Sequence, residues 1–149
     1  MISRTLSRLV TAAMFALPLA AVAATPVVEV YKSATCGCCK EWIKHLEANG
    51  FKVNAHDVDN PSDYREKFGI PTNMGSCHTA TVNGYALEGH VPAADVKRLL
   101  ATKPKAKGLA VPGMPMGSPG MEQGPRKDAF DVMLVQDGGK ATVYKHYGQ

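Results

Sequence analysis

A β-branched run, Val27-Val28-Glu29-Val30-Tyr31, gives way to Thr35-Cys36-Gly37-Cys38-Cys39-Lys40 and then to an amphipathic stretch, so three of the four cysteines share one strand-to-helix turn. Cys39, Trp42, Ile43 and Leu46 recur at three-to-four spacing and Asn49-Gly50 closes the pattern, which predicts a helix. Phe51 to Val58 reads as a second strand, ended by Asp59-Asn60-Pro61. Strand, helix and strand in about thirty residues make the βαβ unit of a parallel pair. The thiols therefore belong at a helix N-terminus, where free N–H groups and the macrodipole favour an anion and lower thiol pKa.

The rest of the chain extends this unit. Ser62 to Phe68 predicts a short helix closed by Gly69, and Ile70 to Ser76 a loop that delivers Cys77 and His78 to the next strand. His78 to Val82 and Tyr85 to Val91, joined by Asn83-Gly84, carry a strong hairpin signal. Pro92 then opens a helix with Val96, Leu99 and Leu100 on one face. The expected class is α/β, with the order β-α-β-α-β-β-α. From Gly108 to Met121 proline and glycine dominate without a helix or strand period, which predicts an extended loop. Phe130 to Val135 and Ala141 to Tyr144, linked through Asp137-Gly138-Gly139, predict a C-terminal hairpin.

Arg4 and Arg8 followed by the apolar run Leu9 to Val22 and Ala21-Val22-Ala23 fit a signal peptide, residues 1–23, cleaved near Ala24. The run is shorter than the ~20 residues an anchor needs, so no stable membrane insertion is expected after cleavage. Residues 24–149 then form one domain: a core (24–103), a Met/Pro/Gly loop (104–127) and a C-terminal hairpin (128–149). Loss of Arg4 and Arg8 lowers the formal charge from +4 to +2, 15 Lys plus Arg against 13 Asp plus Glu. That balance gives no footing for nucleic acid. Neither a catalytic triad nor a G-x-x-x-x-G-K-[ST] phosphate loop is present.

Export would place the thiols in an oxidising compartment, where disulfides are common. The spacing suits structural bridges poorly: adjacent Cys38 and Cys39 resist pairing, and Cys36 to Cys38 or Cys39 closes a ring too small to stabilise much. Thiolates prefer Cu(I), and three thiols on one turn plus a distant fourth can share several ions. Zinc, held by Cys₄ or by Cys₃ with His78, is the competing cofactor, although zinc sites usually offer two separated donor pairs.

Cys36-Gly37-Cys38-Cys39 also contains C-x-x-C in a βαβ context and so resembles the thioredoxin superfamily, whose dithiol occupies this corner. The resemblance implies that Cys77, at the start of the third strand, faces Cys36 and Cys39. Two departures stand out. Cys38 lies inside the motif, and Ser76-Cys77 stands where a cis-proline is expected.

A closer resemblance is to the CopG-like family of periplasmic metal-binding proteins, long carried as a domain of unknown function. It rests on Thr35-Cys36-Gly37-Cys38-Cys39, Trp42, Gly50-Phe51, Ser76-Cys77-His78-Thr79-Ala80, Glu88-Gly89-His90-Val91-Pro92 and Gly108 to Pro115. It implies copper handling in the periplasm of a Gram-negative bacterium, with other periplasmic copper proteins as partners. The expected metal residues are Cys36, Cys38, Cys39 and Cys77. Weaker candidates are Met114, Met116 and Met121, whose thioethers suit Cu(I) but which equally fill apolar gaps under a loop. His78 is a further candidate, pointing away from Cys77 if both lie on a strand; Met74 and His90 are open. His45, His56 and His146 read as surface residues and Trp42 as core. The alternative is a thiol–disulfide oxidoreductase with Cys36 as nucleophile and Cys39 resolving.

Overall fold

The structure, a computed structural model, describes residues 26–148; the expected signal peptide lies outside the described residues. The chain runs β1 (Val27–Lys32), α1 (Gly37–Ala48), β2 (Lys52–Asp57), α2 (Pro61–Lys67), a 3₁₀ turn (Thr72–Met74), β3 (His78–Val82), β4 (Tyr85–Glu88), α3 (Ala93–Thr102), β5 (Gly108–Ala110), β6 (Phe130–Val135), a second 3₁₀ turn (Asp137–Gly139) and β7 (Ala141–Tyr147). The mixed α/β class and the order of the first seven elements are as expected. One sheet holds every described strand, in the order β2-β1-β3-β4-β5-β6-β7. β1 pairs with β2 in parallel, and β3 and β4 continue antiparallel. This half is compatible with the thioredoxin-like core that the sequence resembles.

Helix starts follow local chemistry. Asn60 caps α2 through its side-chain oxygen, which accepts from Ser62 N–H, and Pro61 fills the first turn where no N–H is needed. Cys36 caps α1 with sulfur: Cys39 N–H donates to Cys36 Sγ at 3.3 Å. At α3 no local side chain caps; Ala93 N–H donates instead to His45 Nε2, 3.0 Å away on α1. His45 is therefore half-buried and structural rather than an ordinary surface residue. His56 and His146 are surface residues, beside Glu29 and Asp131.

The segment from Gly108 to Met121 is not all loop. Gly108–Ala110 is a strand, parallel to β4 and antiparallel to β6, so the C-terminal hairpin extends the main sheet. Alternation along these strands feeds two cores. Val28, Val30, Leu87 and Leu109 join Trp42 and Leu46 of α1 and Val96 and Leu99 of α3; Ala86, Ala110 and Val135 join Ile70. Gly108 is where β5 meets β4 most closely, since an added Cβ would fall on the Ala86 carbonyl. Gly108→Ala should separate the two strands and destabilise by about 1–3 kcal/mol; a urea midpoint equal to wild type would contradict that packing.

Candidate metal centre

β1 ends beside the N-terminus of α1, and β3 begins next to it, so the two cysteine-bearing segments meet. Cys36, Cys38, Cys39 and Cys77 place their sulfurs within 4.8 Å of one another. Cys36 and Cys39 are joined as a disulfide, while Cys38 and Cys77 are free. Cys38 Sγ stands 3.6 Å from Cys36 Sγ and 3.7 Å from Cys77 Sγ, and Cys39 Sγ stands 3.6 Å from Cys77 Sγ. The sulfurs thus trace a closed circuit, 36 to 38 to 77 to 39 and back. All four residues that the sequence proposed as metal ligands are brought together.

Two imidazoles complete the surroundings. Cys77 Sγ lies 3.3 Å from His78 Nδ1 and 3.2 Å from His90 Nε2, and these three donors form a second group that could hold an ion. The expectation that His78 points away from Cys77 is overturned. Cys77 precedes β3, which begins at His78, so strand alternation does not govern the pair. His78 is fully buried, and its Nε2 has no hydrogen-bond partner. His90 is buried too; its Nδ1–H donates to Pro119 O at 2.8 Å, which leaves the Nε2 lone pair facing Cys77. A ring nitrogen held by a carbonyl while the other faces a soft donor set is the usual outer support of a metal-binding histidine. A cluster of sulfur donors with two imidazole nitrogens against Cys77 fits a soft metal ion.

Electrostatics agree. Burial, then the neighbouring Cys38, pushes the Cys77 thiol up to about 12, so without a cation it stays protonated. Burial, then His90, pushes His78 down to about 3, and burial also lowers His90. Cys77 and His78 are thus poised as neutral donors, which a cation would convert to ligands by displacing the Cys77 proton.

The Pro/Gly strap covers this corner. Ser76 Oγ donates to Gly113 O, and Gly113 N–H donates to Gly75 O at 2.9 Å. Gly120, with φ of +87°, packs on α1 so closely that a Cβ would lie 2.7 Å from Trp42 N and 2.8 Å from Cys38 O. Only glycine combines that backbone conformation with that approach. Met121 is buried beside it, Met116 is half-buried and Met114 is 51% exposed. The contact between the strap and α1 is thus made through Gly120. Trp42 is core, as expected: its indole N–H donates to Val91 O, and its ring lies 4.3 Å from that of His78.

A mixed α/β sheet carrying four converging cysteines and two buried histidines defines a protein with a cluster of soft donors that could hold a metal ion. Residues 74–121 match the model of a family described as a protein of unknown function, DUF411. Two solved structures of the copper resistance protein CopG are similar to the chain. Form 2 is 49% identical with a TM-score of 0.79, the match covering 83% of this chain and 99% of that one. Form 1 is 50% identical with a TM-score of 0.78, covering 83% and 98%. The chain belongs to the CopG-like DUF411 family. No functionally curated protein matches the sequence. Among the described residues, no helix is long and apolar enough to cross a membrane.

Proposed function

We propose that this protein is a periplasmic copper-binding protein that holds Cu(I) for copper resistance and homeostasis, as a polynuclear thiolate cluster. The observation that carries this reading is the closed circuit of four sulfurs, with Cys77 shared between that circuit and two imidazoles. Thiolate sulfur bridges soft ions, and four sulfurs confined to one small volume favour several bridged ions over one tetrahedral ion. The copper resistance proteins it resembles support the choice of copper over zinc. Other periplasmic copper-handling proteins are the partners this reading expects. Thioether donation by Met114, Met116 or Met121 belongs to the same reading, with Met121 the most enclosed.

Use of all four thiolates requires the Cys36–Cys39 bond to be reduced, a gain of two electrons and two protons by the free protein. Thiol titration of the denatured chain should accordingly find two free thiols when oxidised and four after dithiothreitol. Native mass spectrometry of the reduced protein titrated with Cu(I) should reach more than one copper per chain. Saturation at a single ion would overturn the cluster. Trp42 is the chain's sole tryptophan and touches His78, so its fluorescence should fall during the same titration.

The Cys36–Cys39 disulfide itself favours a second reading, thiol–disulfide exchange with Cys36 as nucleophile. A protein that acts this way reduces insulin while metal-free; one that only carries copper does not.

A further inference from the structure

Glu88 is fully buried at the end of β4, where an unpaired carboxylate is not tolerated, and its partners lead to the metal centre. Glu88 Oε1 accepts from Ser76 N–H at 2.7 Å and from Arg65 Nε at 2.8 Å, and Oε2 accepts from the Thr79 hydroxyl at 2.6 Å. The other side of Ser76 is held as well. Arg65 Nη2 donates to Ser76 O at 2.9 Å, and the guanidinium packs where a side chain on Gly75 would stand. One buried ion pair therefore grips Ser76 by both its N–H and its C=O, one residue before Cys77.

The two residues that follow β4 hold the neighbourhood of Cys77 as well. Gly89 N–H donates to His78 O at 3.0 Å, and His90 presents Nε2 to Cys77 Sγ. Cys77 lies outside any strand, so neither a sheet ladder nor a helix fixes its backbone. The 3.6 and 3.7 Å distances that close the sulfur circuit depend on that backbone being held.

We propose that Glu88, with Arg65, is the positioning residue of the copper site: by clamping the Ser76 peptide it sets Cys77 Sγ against the thiols of α1. This rests on the copper-binding reading and names what shapes the site. Neither residue touches the sulfurs; each acts through the Ser76 peptide. A buried pair kept only for stability could be exchanged for apolar groups at little cost, whereas a clamp depends on the reach of its acceptor atom.

Reach and charge can be separated. Glu88→Asp keeps the charge but withdraws the acceptor by one methylene. Glu88→Gln keeps the reach: its amide oxygen still accepts from Ser76 N–H and its NH₂ faces the Thr79 hydroxyl. Cu(I) affinity, measured by competition with a chromogenic chelator, should fall about tenfold in Glu88→Asp, the scale usual for outer-shell groups of metal sites. The ultraviolet sulfur-to-copper absorption should change with it. Glu88→Gln should stay within about threefold of wild type even though its melting temperature drops, because Arg65 then lies buried without a counter-charge. Wild-type affinity and spectrum in Glu88→Asp, or a larger copper defect in Glu88→Gln than in Glu88→Asp, overturns the proposal. Should Glu88→Asp not fold, Arg65→Met/Glu88→Leu removes charge and clamp together; unaltered copper binding there overturns the proposal equally. Wild-type protein that binds no Cu(I) removes the underlying reading instead, so the two failures are distinct.

Discussion

Cys38→Ser is expected to lose copper while leaving the Cys36–Cys39 pair able to open and close. Cys38 is the corner of the sulfur circuit between Cys36 and Cys77, at 3.6 and 3.7 Å, and it takes no part in the disulfide. Without it the circuit becomes an open chain, 36 to 39 to 77, and the ions that Cys38 would bridge lose a ligand that a serine hydroxyl does not replace, since Cu(I) selects soft donors. The fold should tolerate the change. Cys38 is only half-buried and its side chain fills no core position, in contrast with fully buried Cys39. Reduced Cys38→Ser titrated with Cu(I) should therefore saturate at fewer ions than wild type, with weaker ultraviolet sulfur-to-copper absorption and an unchanged melting temperature when metal-free. Thiol–disulfide exchange through Cys36 and Cys39 should continue at its original rate. Equal copper stoichiometry in the two proteins would remove the bridging role and leave disulfide exchange as the better account of the cluster.

The first half of the fold and the sulfur cluster are readable from the chain because their signals are local. The helical period after Cys39, the Asn83-Gly84 turn and the strand before Cys36 each lie within a window of about ten residues. β5 carries no such signal. Three residues, Gly108, Leu109 and Ala110, cannot display a period of two, and they form a strand only because β4 and β6 offer hydrogen bonds on both sides. Glu88 reads only as a polar residue within the second hairpin strand, since the partners that bury it, Arg65 and Ser76, lie 23 and 12 residues away. His45 likewise looks like the wet side of α1 until Ala93, 48 residues on, supplies the N–H it accepts from. Strand alternation points Cys77 and His78 in opposite directions only if both belong to the strand. A shift of one residue in the start of β3 places both beside the sulfurs.

The metal-free protein should be sharply acid-labile, and the direction follows from the histidines. His78 is fully buried and titrates near 3, against an ordinary 6.5, through desolvation and the proximity of His90; burial lowers His90 and His45 as well. Below 6.5 the unfolded chain takes up protons on these rings more readily than the folded chain does. The histidine contribution is thus complete above neutral pH, falls as pH drops through 6.5, and stops falling for His78 only near 3. At pH 4.5 His78 alone should cost on the order of 3 kcal/mol, a large part of the 5–15 kcal/mol typical of a folded domain. Carboxylates add little over this interval: Glu29 and Asp128, which their hydrogen-bond partners hold below the usual range, give up their contributions at lower pH. Urea unfolding of the reduced, metal-free protein at pH 7.5 and 4.5 measures the difference, and His78→Leu, which removes the titrating ring, should flatten it. A free energy of unfolding that is the same at both pH values would show that His78 is not held neutral. Copper should oppose the loss, because an ion bound only by the folded chain stabilises it by mass action and competes with protons for the same nitrogen and sulfur atoms. Protection at pH 6 by Cu(I), weaker in Cys38→Ser at equal copper concentration, would tie the acid response of the fold to occupancy of the sulfur circuit.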